Sequence, residues 1–528
     1  MATATEKHPK GLYVLFATEM WERFGFYTML AMLTLYMRDG LQGFGWTTAK
    51  ATGVYSWYQA FVYATPLIGG WLADRFLGYR NSITIGGAFF FSGFVLLMVP
   101  HQVGIFYLAL VCLVTGNGFF KPNVSSMVGN LYKEGSHLKD RAYLVFYMGI
   151  NIGAFIAPIS AEYVKTHWGF NRAFGVAALG MIISMAVFWG FRRFTRGADR
   201  VHGDFVDSDS AKEQAEAVAV TEDLPPNAKH EAMIAVPEWK RIVALIVIFL
   251  IVIVFWMIFH QNGSTLTFWA NDNTNWNVTG IISNAINPFW IITLSLPLAW
   301  FWGFLDRRGL EPSTPTKIAM GMLLTGCSLM ILYFAALSGG YTKPSTRIIA
   351  PAPAANHYYV QLAPGLMEKM KIETAPMEIE VPEAARSTNG HPTMEVWEVE
   401  NTGNAILKHN DPVRIESAEG GKIIVAPAKK VSPWWLIMSY FVISLGELML
   451  SPMGLALVSK VAPPRMRGLM MGGWFLATAI GNKLTAIGAF WDVWSHAQFF
   501  ITLALMAFVM AAVLFVLIRP LKKAMPGV

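Results

Sequence analysis

Glu19, Glu22 and Arg23 lie together in the first apolar stretch of the chain, within the run EMWERFGFY. On a helix these positions are spaced i, i+3 and i+4, so the three side chains share one face. If a ligand carboxylate or a conformational change removed Arg23 from its neighbours, a freed carboxyl would bind a proton more readily. The spacing therefore favours a proton switch, and the alternative is a fixed structural salt bridge.

Lys121 and Glu447 are single charges in two later apolar stretches, GNGFFKPNVSSMVGNLY and SLGELMLSPMGLALVSK. A buried carboxylate must be protonated or matched by a cation, and a buried ammonium needs an anion. Each residue could therefore meet one end of a charged ligand. The alternatives are a lysine that snorkels to the membrane surface and an acid that only makes structural hydrogen bonds.

His260 lies in another apolar run, FWMIFHQNGSTLTFWA. Imidazole titrates near neutral pH, which suits a proton carrier or a gate, although a lone histidine is as often a neutral, hydrogen-bonded residue. Asn151 and Asn287 could bind the backbone or amine of a ligand, or could hold helices together. Tyr27, Tyr63 and Trp474 could form the walls of a cavity, but isolated aromatic residues more often pack.

The distribution of these charges matters more than any one residue. Arg23 and Lys121 place cations in the first half of the chain, and Glu447 places an anion in the second half. A cavity between the halves would be positive on one wall and negative on the other. Such a cavity complements a zwitterion whose charged ends lie several ångströms apart.

These residues must be positioned by membrane helices. The 528 residues are 54% hydrophobic and 14% charged, whereas soluble domains carry about 25% charged residues. Apolar runs of the roughly 20 residues that span a bilayer recur along the chain. The net charge of +7 is explained by basic cytoplasmic loops, so we expect no nucleic-acid partner. Cys112 and Cys327 lie in apolar stretches and are expected to pack, without a disulfide or metal site.

Twelve spans are predicted, and both termini are placed in the cytoplasm because alternate connections carry most of the lysine and arginine. The fold class is therefore an all-α polytopic membrane protein with two six-helix bundles. The spans are 13–37, 51–73, 82–100, 104–131, 142–164, 173–191, 241–266, 280–303, 317–337, 433–458, 468–491 and 497–518. No cleavable signal peptide is expected, because the polar start lacks a cationic segment followed by a short apolar core.

Five segments follow from this pattern. Residues 1–193 form a first bundle, 194–238 a cytoplasmic linker, 239–338 and 432–528 the second bundle, and 339–431 an insert on the outer side. Alternating short runs in the insert, at Met377–Val381 (MEIEV), Met394–Val399 (MEVWEV), Val413–Ser417 and Lys422–Ala426, predict a small β-rich unit outside the membrane. Similar polar turns, GGWLADRFLGYR and WGFLDRRG, follow the second and eighth spans. Internal repeats of this kind are typical of secondary transporters, with a site between the halves.

Four motifs resemble those of the proton-dependent oligopeptide transporter (POT) family of the major facilitator superfamily. EMWERFGFY looks like its ExxERFxYY motif on helix 1, and GNGFFKPNVSSMVGNLY like its FKPN signature on helix 4. FYMGINIG resembles its helix-5 pattern, and GELMLSPMGLALVSKVAPPRMRGLMMGGWF its helix-10 and helix-11 block. The resemblance covers nearly all of the membrane part, but neither residues 194–238 nor residues 339–431.

The resemblance implies import of di- and tripeptides with protons by alternating access. Arg23 and Lys121 would hold the peptide carboxylate, and Glu447, Asn151 and Asn287 the amino end. Glu19 and Glu22, beside Arg23, would be the proton-linked acids. The residues that would shape or line the pocket are Tyr27, Tyr63, Trp474 and Ser451.

The chain departs from the family pattern at several positions. Phe26 stands where the family has the first tyrosine of its YY pair, and Leu30 where many bacterial members have arginine. His260 stands where the family usually has a carboxylate on helix 7, which makes the histidine a candidate replacement for that proton site. Ser56 occupies the helix-2 position that is histidine in animal members. Residues 194–238 cannot supply the two extra helices of many bacterial members.

We therefore expect a proton-coupled peptide symporter in the bacterial inner membrane, monomeric and without a cofactor or metal ion. The first alternative is the same fold moving nitrate, an amino acid or a peptide-like drug. The second is a membrane sensor or scaffold in which residues 339–431 bind the ligand. No nucleophile–base or metal-ligand pattern indicates an enzyme.

Overall fold

Long apolar helices make up most of the protein. The computed structural model describes residues 8–132, 138–199, 236–372, 374–380, 393–403, 405–409, 411–418, 422–463 and 466–526. Within these residues, nine helices are long and apolar enough to cross a membrane. Three of the twelve predicted spans, 13–37, 51–73 and 468–491, are not among the nine. The predicted cytoplasmic linker 194–238 lies largely outside the described residues.

The helices follow the predicted spans closely, and most begin a few residues earlier. They are α1 (Lys10–Arg38), α2 (Thr48–Leu72), α3 (Tyr79–Leu97), α4 (Val103–Asn130), α5 (Leu138–Trp168), α6 (Phe170–Gly190), α7 (Glu238–Phe259), α8 (Thr265–Asp272), α9 (Ile286–Asp306), α10 (Thr314–Gly339), α11 (Pro364–Met370), α12 (Pro433–Val461), α13 (Arg467–Leu484) and α14 (His496–Ala524).

Two of the predicted spans are interrupted. The seventh breaks at a 3-10 turn, His260–Gly263, which separates α7 from α8, and the eighth begins with another 3-10 turn, Gly280–Ala285. The first break gives His260 a position at a helix end rather than inside a regular helix. The sequence run HQNG at this point contains asparagine and glycine, which favour such interruptions.

Helices α1 to α6 pack mainly on one another, and so do α7 to α10 together with α12 to α14. Close approach of α2 and α4 depends on two glycines, because a Cβ on Gly69 would lie 2.0 Å from the Gly118 carbonyl oxygen. This contact brings Tyr63 and Lys121, on the same two helices, to one region. The two groups of helices meet where α2 contacts α13 and where α5 contacts α9 and the turn before it.

A six-stranded sheet lies between α10 and α12 in the chain. Its strands are β1 (Ser345–Pro351), β2 (His357–Val360), β3 (Met377–Glu380), β4 (Thr393–Asn401), β5 (Pro412–Ser417) and β6 (Ile423–Pro427). Their order is β2-β1-β5-β6-β4-β3, and an additional pairing of β2 with β4 closes five of the strands on themselves. All pairs are antiparallel except β4 with β6.

The sheet encloses a small apolar core of its own, which includes Ile348, Val360, Val399, Val413 and Val425. The sequence predicted the strands β3 to β6 but missed β1 and β2. We call the end of the helix bundle that carries this sheet the insert end, and the opposite end, where α1 begins, the terminal end.

Candidate functional site

Arg23 on α1 forms a buried ion-pair network. Its Nε and Nη2 donate to the two carboxylate oxygens of Glu22, at 2.5 and 2.7 Å. A carboxylate oxygen of Glu19 lies farther away, 3.5 Å from Nε, and neither Glu19 oxygen has a hydrogen-bond partner among the described residues. Both carboxylates are at most 1% exposed. The structure thus distinguishes two acids that the sequence pattern did not: Glu22 accepts two hydrogen bonds from Arg23, and Glu19 accepts none.

Asn117 extends this network from α1 to two further helices. Its side-chain oxygen accepts a hydrogen bond from Arg23 Nη2 at 3.1 Å, and its amide donates to the backbone oxygen of Val62 on α2 at 2.7 Å. Because both bonds are buried, Asn117 fixes the guanidinium relative to α2 and α4. Sequence analysis did not select this residue. Its position, four residues before Lys121 and therefore on the same helix face, was the available signal.

Phe26 covers the guanidinium on another side, with its ring centroid 4.7 Å from Arg23 Cζ. Its ring also meets the next aromatic residue, Tyr27, edge to face at 5.3 Å. A tyrosine at position 26 would add a hydroxyl to this region, whereas phenylalanine offers only its ring. The contact is of the cation–π type, which is stronger where water is excluded.

Lys121 on α4 points to the face of Tyr63 on α2, with Nζ 5.1 Å from the ring centroid. Among the described residues no carboxylate oxygen lies within 4.0 Å of this ammonium group. Glu19, Glu22 and Arg23 are nevertheless close enough to act on it electrostatically. Lys121 therefore contributes positive charge to the site without being neutralised by a direct ion pair.

His260 connects the second half of the molecule to this group. Its Nδ1 lies 3.3 Å from the Gln59 amide nitrogen, and its ring meets that of Tyr63 edge to face at 5.7 Å. Its other face stacks on Trp256 at 5.4 Å. Nε2 has no partner among the described residues, and neither has Gln59 Oε1. Rotating the amide by 180° would place that oxygen against Nδ1, so the contact can serve either a donating or an accepting Nδ1.

Glu447 on α12 is the acid of the second half. Its Oε2 accepts a hydrogen bond from Asn287 at 3.0 Å, and the same Asn287 amide donates to Ser444 at 2.9 Å. No cation of the described chain lies within 4.0 Å of this carboxylate. Glu447 is within electrostatic range of three tyrosines of the first half, Tyr27, Tyr63 and Tyr147, so it faces the opposite group of helices.

The remaining predicted residues take less direct positions. Asn151 donates to the Tyr147 carbonyl on its own helix at 2.9 Å. Ser451 is half-buried and lies one turn after Glu447. Trp474 is buried and packs against Phe249 and over Gly454, where an added Cβ would lie 1.9 Å from the indole. Its surroundings are those of a packing residue.

The structure therefore brings most of the predicted residues to one region. Lys121 contacts Tyr63, and Tyr63 contacts His260 across the boundary between the halves; Arg23 and Glu447 both lie within electrostatic range of Tyr63. Gln59, Asn117 and Tyr147 belong to the same region and were not predicted. In the part of the chain that the structure describes, no three His, Cys, Asp or Glu residues are grouped as metal ligands.

Hydrogen bonds and ion pairs between the halves are concentrated from this region towards the insert end. Thr34 donates to the Gly263 carbonyl at 2.8 Å, and Glu162 accepts from the backbone of Thr279 at 2.7 Å. Arg38 pairs with Asp272 at 3.4 Å. These contacts join α1 and α5 to the segments on either side of α8, so the insert end is the closed end of this structure.

Known proteins with similar sequences are transporters. The chain matches the sequence profile of the POT family over residues 80–367 and 413–499. It is 27% identical to the uncharacterized transporter YclF of Bacillus subtilis, over 99% of this chain and 96% of that protein. It is 26% identical to the di-/tripeptide transporter of Lactococcus lactis, over 98% of this chain and 97% of that protein.

The fold matches as well as the sequence. The crystal structure of peptide transporter POT in complex with sulfate superposes with a TM-score of 0.72 at 26% identity, covering 99% of this chain and 97% of that one. A crystal structure of a mutant of peptide transporter POT in complex with alafosfalin gives a TM-score of 0.71 at 27% identity, with the same coverage. The helices, the buried charges and both comparisons lead to one assignment: this membrane-spanning chain belongs to the POT family.

Proposed function

We propose that the protein imports di- and tripeptides together with protons, as a secondary transporter of the major facilitator fold with twelve spans. The observation that carries this proposal is the charge of Glu447. It is a carboxylate among apolar helices, its closest partner is an uncharged amide, and it faces a region that holds Arg23 and Lys121. A half-buried carboxylate among apolar helices that has no cation beside it is costly, so a ligand that brings an ammonium group is favoured there.

The opposite wall suits the other end of a peptide. Lys121 has no direct carboxylate partner, and Arg23 uses two of its donors on Glu22 and one on Asn117. The ammonium of Lys121 is therefore the free cation of this wall, and a peptide carboxylate would bind it while remaining close to Arg23. Tyr27 and Tyr63 lie between the two walls, where their rings can contact the peptide backbone. Asn287 would orient Glu447 towards the amino end.

Proton coupling is assigned chiefly to Glu19. Its two oxygens are buried and make no hydrogen bond among the described residues, which is unfavourable for an ionised carboxylate but acceptable for a protonated one. Glu22 would bind the coupling proton only if Arg23 turned away from it. His260 is the second candidate, because its Nε2 is unpartnered and its ring lies next to the Tyr63–Lys121 contact.

Alternating access would follow from the contacts between the halves. The insert end is closed by the pairs Arg38–Asp272 and Glu162–Thr279. We place this end outside the cell and the terminal end, with both chain termini, in the cytoplasm of a bacterium, because basic residues are concentrated in the terminal-end connections. Binding of both ends of a peptide would then draw the halves together at the terminal end and release the insert end.

The direct test is uptake of a radiolabelled dipeptide into proteoliposomes with an imposed inward proton gradient. Accumulation above equilibrium that a protonophore abolishes is expected. Accumulation that is unchanged by the protonophore would contradict proton coupling, and absence of any peptide uptake by protein with native circular dichroism would contradict peptide transport.

A second candidate is the same mechanism with a smaller zwitterion or an anion as substrate. The contact of Phe26 with Arg23 favours it, because the ring leaves no hydroxyl at this position for a peptide oxygen. Competition of dipeptide uptake by tripeptides, single amino acids and nitrate separates the two candidates. If the substrate is a peptide, tripeptides should compete when they are added at the concentration at which the dipeptide itself saturates uptake. Nitrate should compete little.

A further inference from the structure

Arg347 lies on strand β1 of the insert and contacts the carboxylate that closes the insert end. Its Nη2 pairs with Asp272 Oδ2, the same oxygen that lies 3.4 Å from Arg38 Nη1. The second oxygen of Asp272 accepts from Asn271 at 2.8 Å. One buried carboxylate of the second half is therefore shared by an arginine of the first half and an arginine of the insert.

The insert is attached to the second half through both of its connections. At the start, the Tyr341 carbonyl accepts from Ala497 at 3.2 Å, and the Tyr341 ring is buried 5.3 Å from that of Trp269. At the end, Val431 exchanges hydrogen bonds with Asn273 and Asn275, each at 2.8 Å. These bonds tie the insert to α8 and α14, so it moves with Asp272.

Arg347 is also held in place within the sheet. Strand β1 pairs with β2 on one side and with β5 on the other, where Arg347 lies opposite Pro412. Its distance from Asp272 is therefore set by a paired strand and the two anchored connections rather than by a free loop. Arg38, in contrast, is the last residue of α1 and belongs to the other half.

We propose that the insert is part of the outer gate, and that Arg347 makes this gate easier to open. Two arginines beside one carboxylate oxygen repel each other, and separation of the halves removes that repulsion. When Arg38 leaves, Arg347 stays with Asp272, so the carboxylate is not left without a cation. Without Arg347, all of the attraction of Asp272 would act on Arg38 and would hold the gate closed.

The same reasoning gives Arg38 the opposite effect. Arg38 is held from the second half by Asp272 and by the ring of Phe268, whose centroid lies 4.1 Å from its guanidinium carbon. Loss of this side chain removes attraction between the halves and should favour the open gate. Opposite signs for two arginines on one carboxylate distinguish a shared gate from a merely structural ion-pair network, in which both losses would only destabilise the fold.

The test is a distance measurement between the halves at the insert end. Spin labels at Gly40→Cys and Asn277→Cys, in a full-length background with Cys112→Ser and Cys327→Ser, report gate opening by pulsed electron resonance in nanodiscs. Both label positions are exposed, and a Cβ on Gly40 meets no atom within 4 Å. We expect two populations of molecules, one with a short distance between the labels (closed gate) and one with a long distance (open gate). Arg347→Gln should raise the ratio of the short-distance to the long-distance population by about fivefold, which corresponds to the free energy of a partly exposed charge interaction.

Three further variants complete the test. Arg347→Lys keeps the charge and should restore the original ratio, and Arg38→Gln should lower the ratio of short to long. Lys343→Gln removes a different cation of the insert, which pairs with Glu416 rather than Asp272, and should leave the ratio unchanged. An unchanged or lowered ratio in Arg347→Gln would overturn the inference.

The proposal rests on the alternating-access motion proposed above, but the measurement separates the two. If two distances are present and Arg347→Gln does not raise the population with the short distance, the insert is not part of the gate, and the proposal of alternating access is unaffected. A single distance in every variant would contradict both proposals. Because no transported substrate is needed, the result does not depend on whether the substrate is a peptide.

Discussion

The two halves of the molecule accommodate buried charge in different ways. In the first half, Arg23 neutralises Glu22 through two hydrogen bonds and is fixed by Asn117. In the second half, Glu447 is bound by the uncharged amide of Asn287. The pair of Arg23 with Glu22 is complete without a ligand, and only Lys121 beside it has no carboxylate partner among the described residues, whereas Glu447 has no cation partner at all among them. Under the proposed function, the ammonium end of a zwitterion would supply the charge that Glu447 lacks.

Removal of either unpaired charge should have the largest effect on transport. Lys121→Ala and Glu447→Ala should each abolish concentrative dipeptide uptake, because each variant leaves one charged end of the bound dipeptide without its half-buried partner. The lost charged contact is worth roughly 1.5–3 kcal/mol, about ten- to a hundredfold in affinity. Uptake into proteoliposomes under a proton gradient measures this loss. Glu400→Gln is the control, because Glu400 is a partly exposed acid of the insert. Near-normal accumulation in either alanine variant would refute the matched charges.

The contrast within the first half can be tested by comparing its two acids. Glu19→Gln should eliminate proton-driven accumulation and retain counterflow exchange, because Glu19 makes no hydrogen bond that its amide would lose. Glu22→Gln should instead lower the apparent unfolding temperature, since it breaks the two-bond pair with Arg23. Counterflow and thermal unfolding of both variants provide the comparison. The reverse pattern would show that Glu22 carries the proton.

His260 is the second-half residue whose part in proton coupling can be tested. His260→Ala should weaken proton-driven accumulation while counterflow persists, because the imidazole lies beside the Tyr63–Lys121 contact and can take up a proton at Nε2. The pH dependence of dipeptide uptake is the measurement. A profile that matches the wild type would leave His260 as a structural residue that links Gln59 and Trp256.

Removal of the two amides, Asn287 and Asn151, should have smaller and unequal effects on dipeptide binding. Asn287→Ala removes the hydrogen bond to Glu447 and should weaken dipeptide binding by a factor of about five to a hundred, corresponding to roughly 1–3 kcal/mol for a charged acceptor. Asn151→Ala should have less effect, because the Asn151 amide donates to a carbonyl of its own helix. Equilibrium binding of a dipeptide to both variants tests this order. Equal losses would show that Asn151 also contacts the peptide.

Charge, length and motif patterns predicted most of the helices and most of the residues that the structure brings together in the candidate site. They could not distinguish Glu19 from Glu22, because both lie on the face of Arg23 and only the side-chain geometry shows which one is paired. The helix break at His260 was also missed, since the apolar run continues through it. Periodicity reports burial and says little about where a helix ends inside a membrane protein.

The insert shows more clearly which contacts the sequence could not predict. Alternation predicted β3 to β6, but the pairing of β1 with β5, which holds Arg347 in place, joins segments more than sixty residues apart in the sequence. The ion pair between Arg347 and Asp272 connects the insert to the end of α8. Such contacts depend on the tertiary structure, and no local pattern of residues encodes them.

The most direct test of the central claim is a binding measurement with two ligands and two proteins. Calorimetry would compare a dipeptide with its N-acetylated form, which lacks the ammonium group, on the wild type and on Glu447→Gln. We expect the wild type to bind the free dipeptide at least about tenfold more tightly, a difference of about 1.4 kcal/mol, and the variant to bind both forms equally. If Glu447→Gln kept the full preference for the free amino end, the carboxylate would not be its partner, and the account would be contradicted.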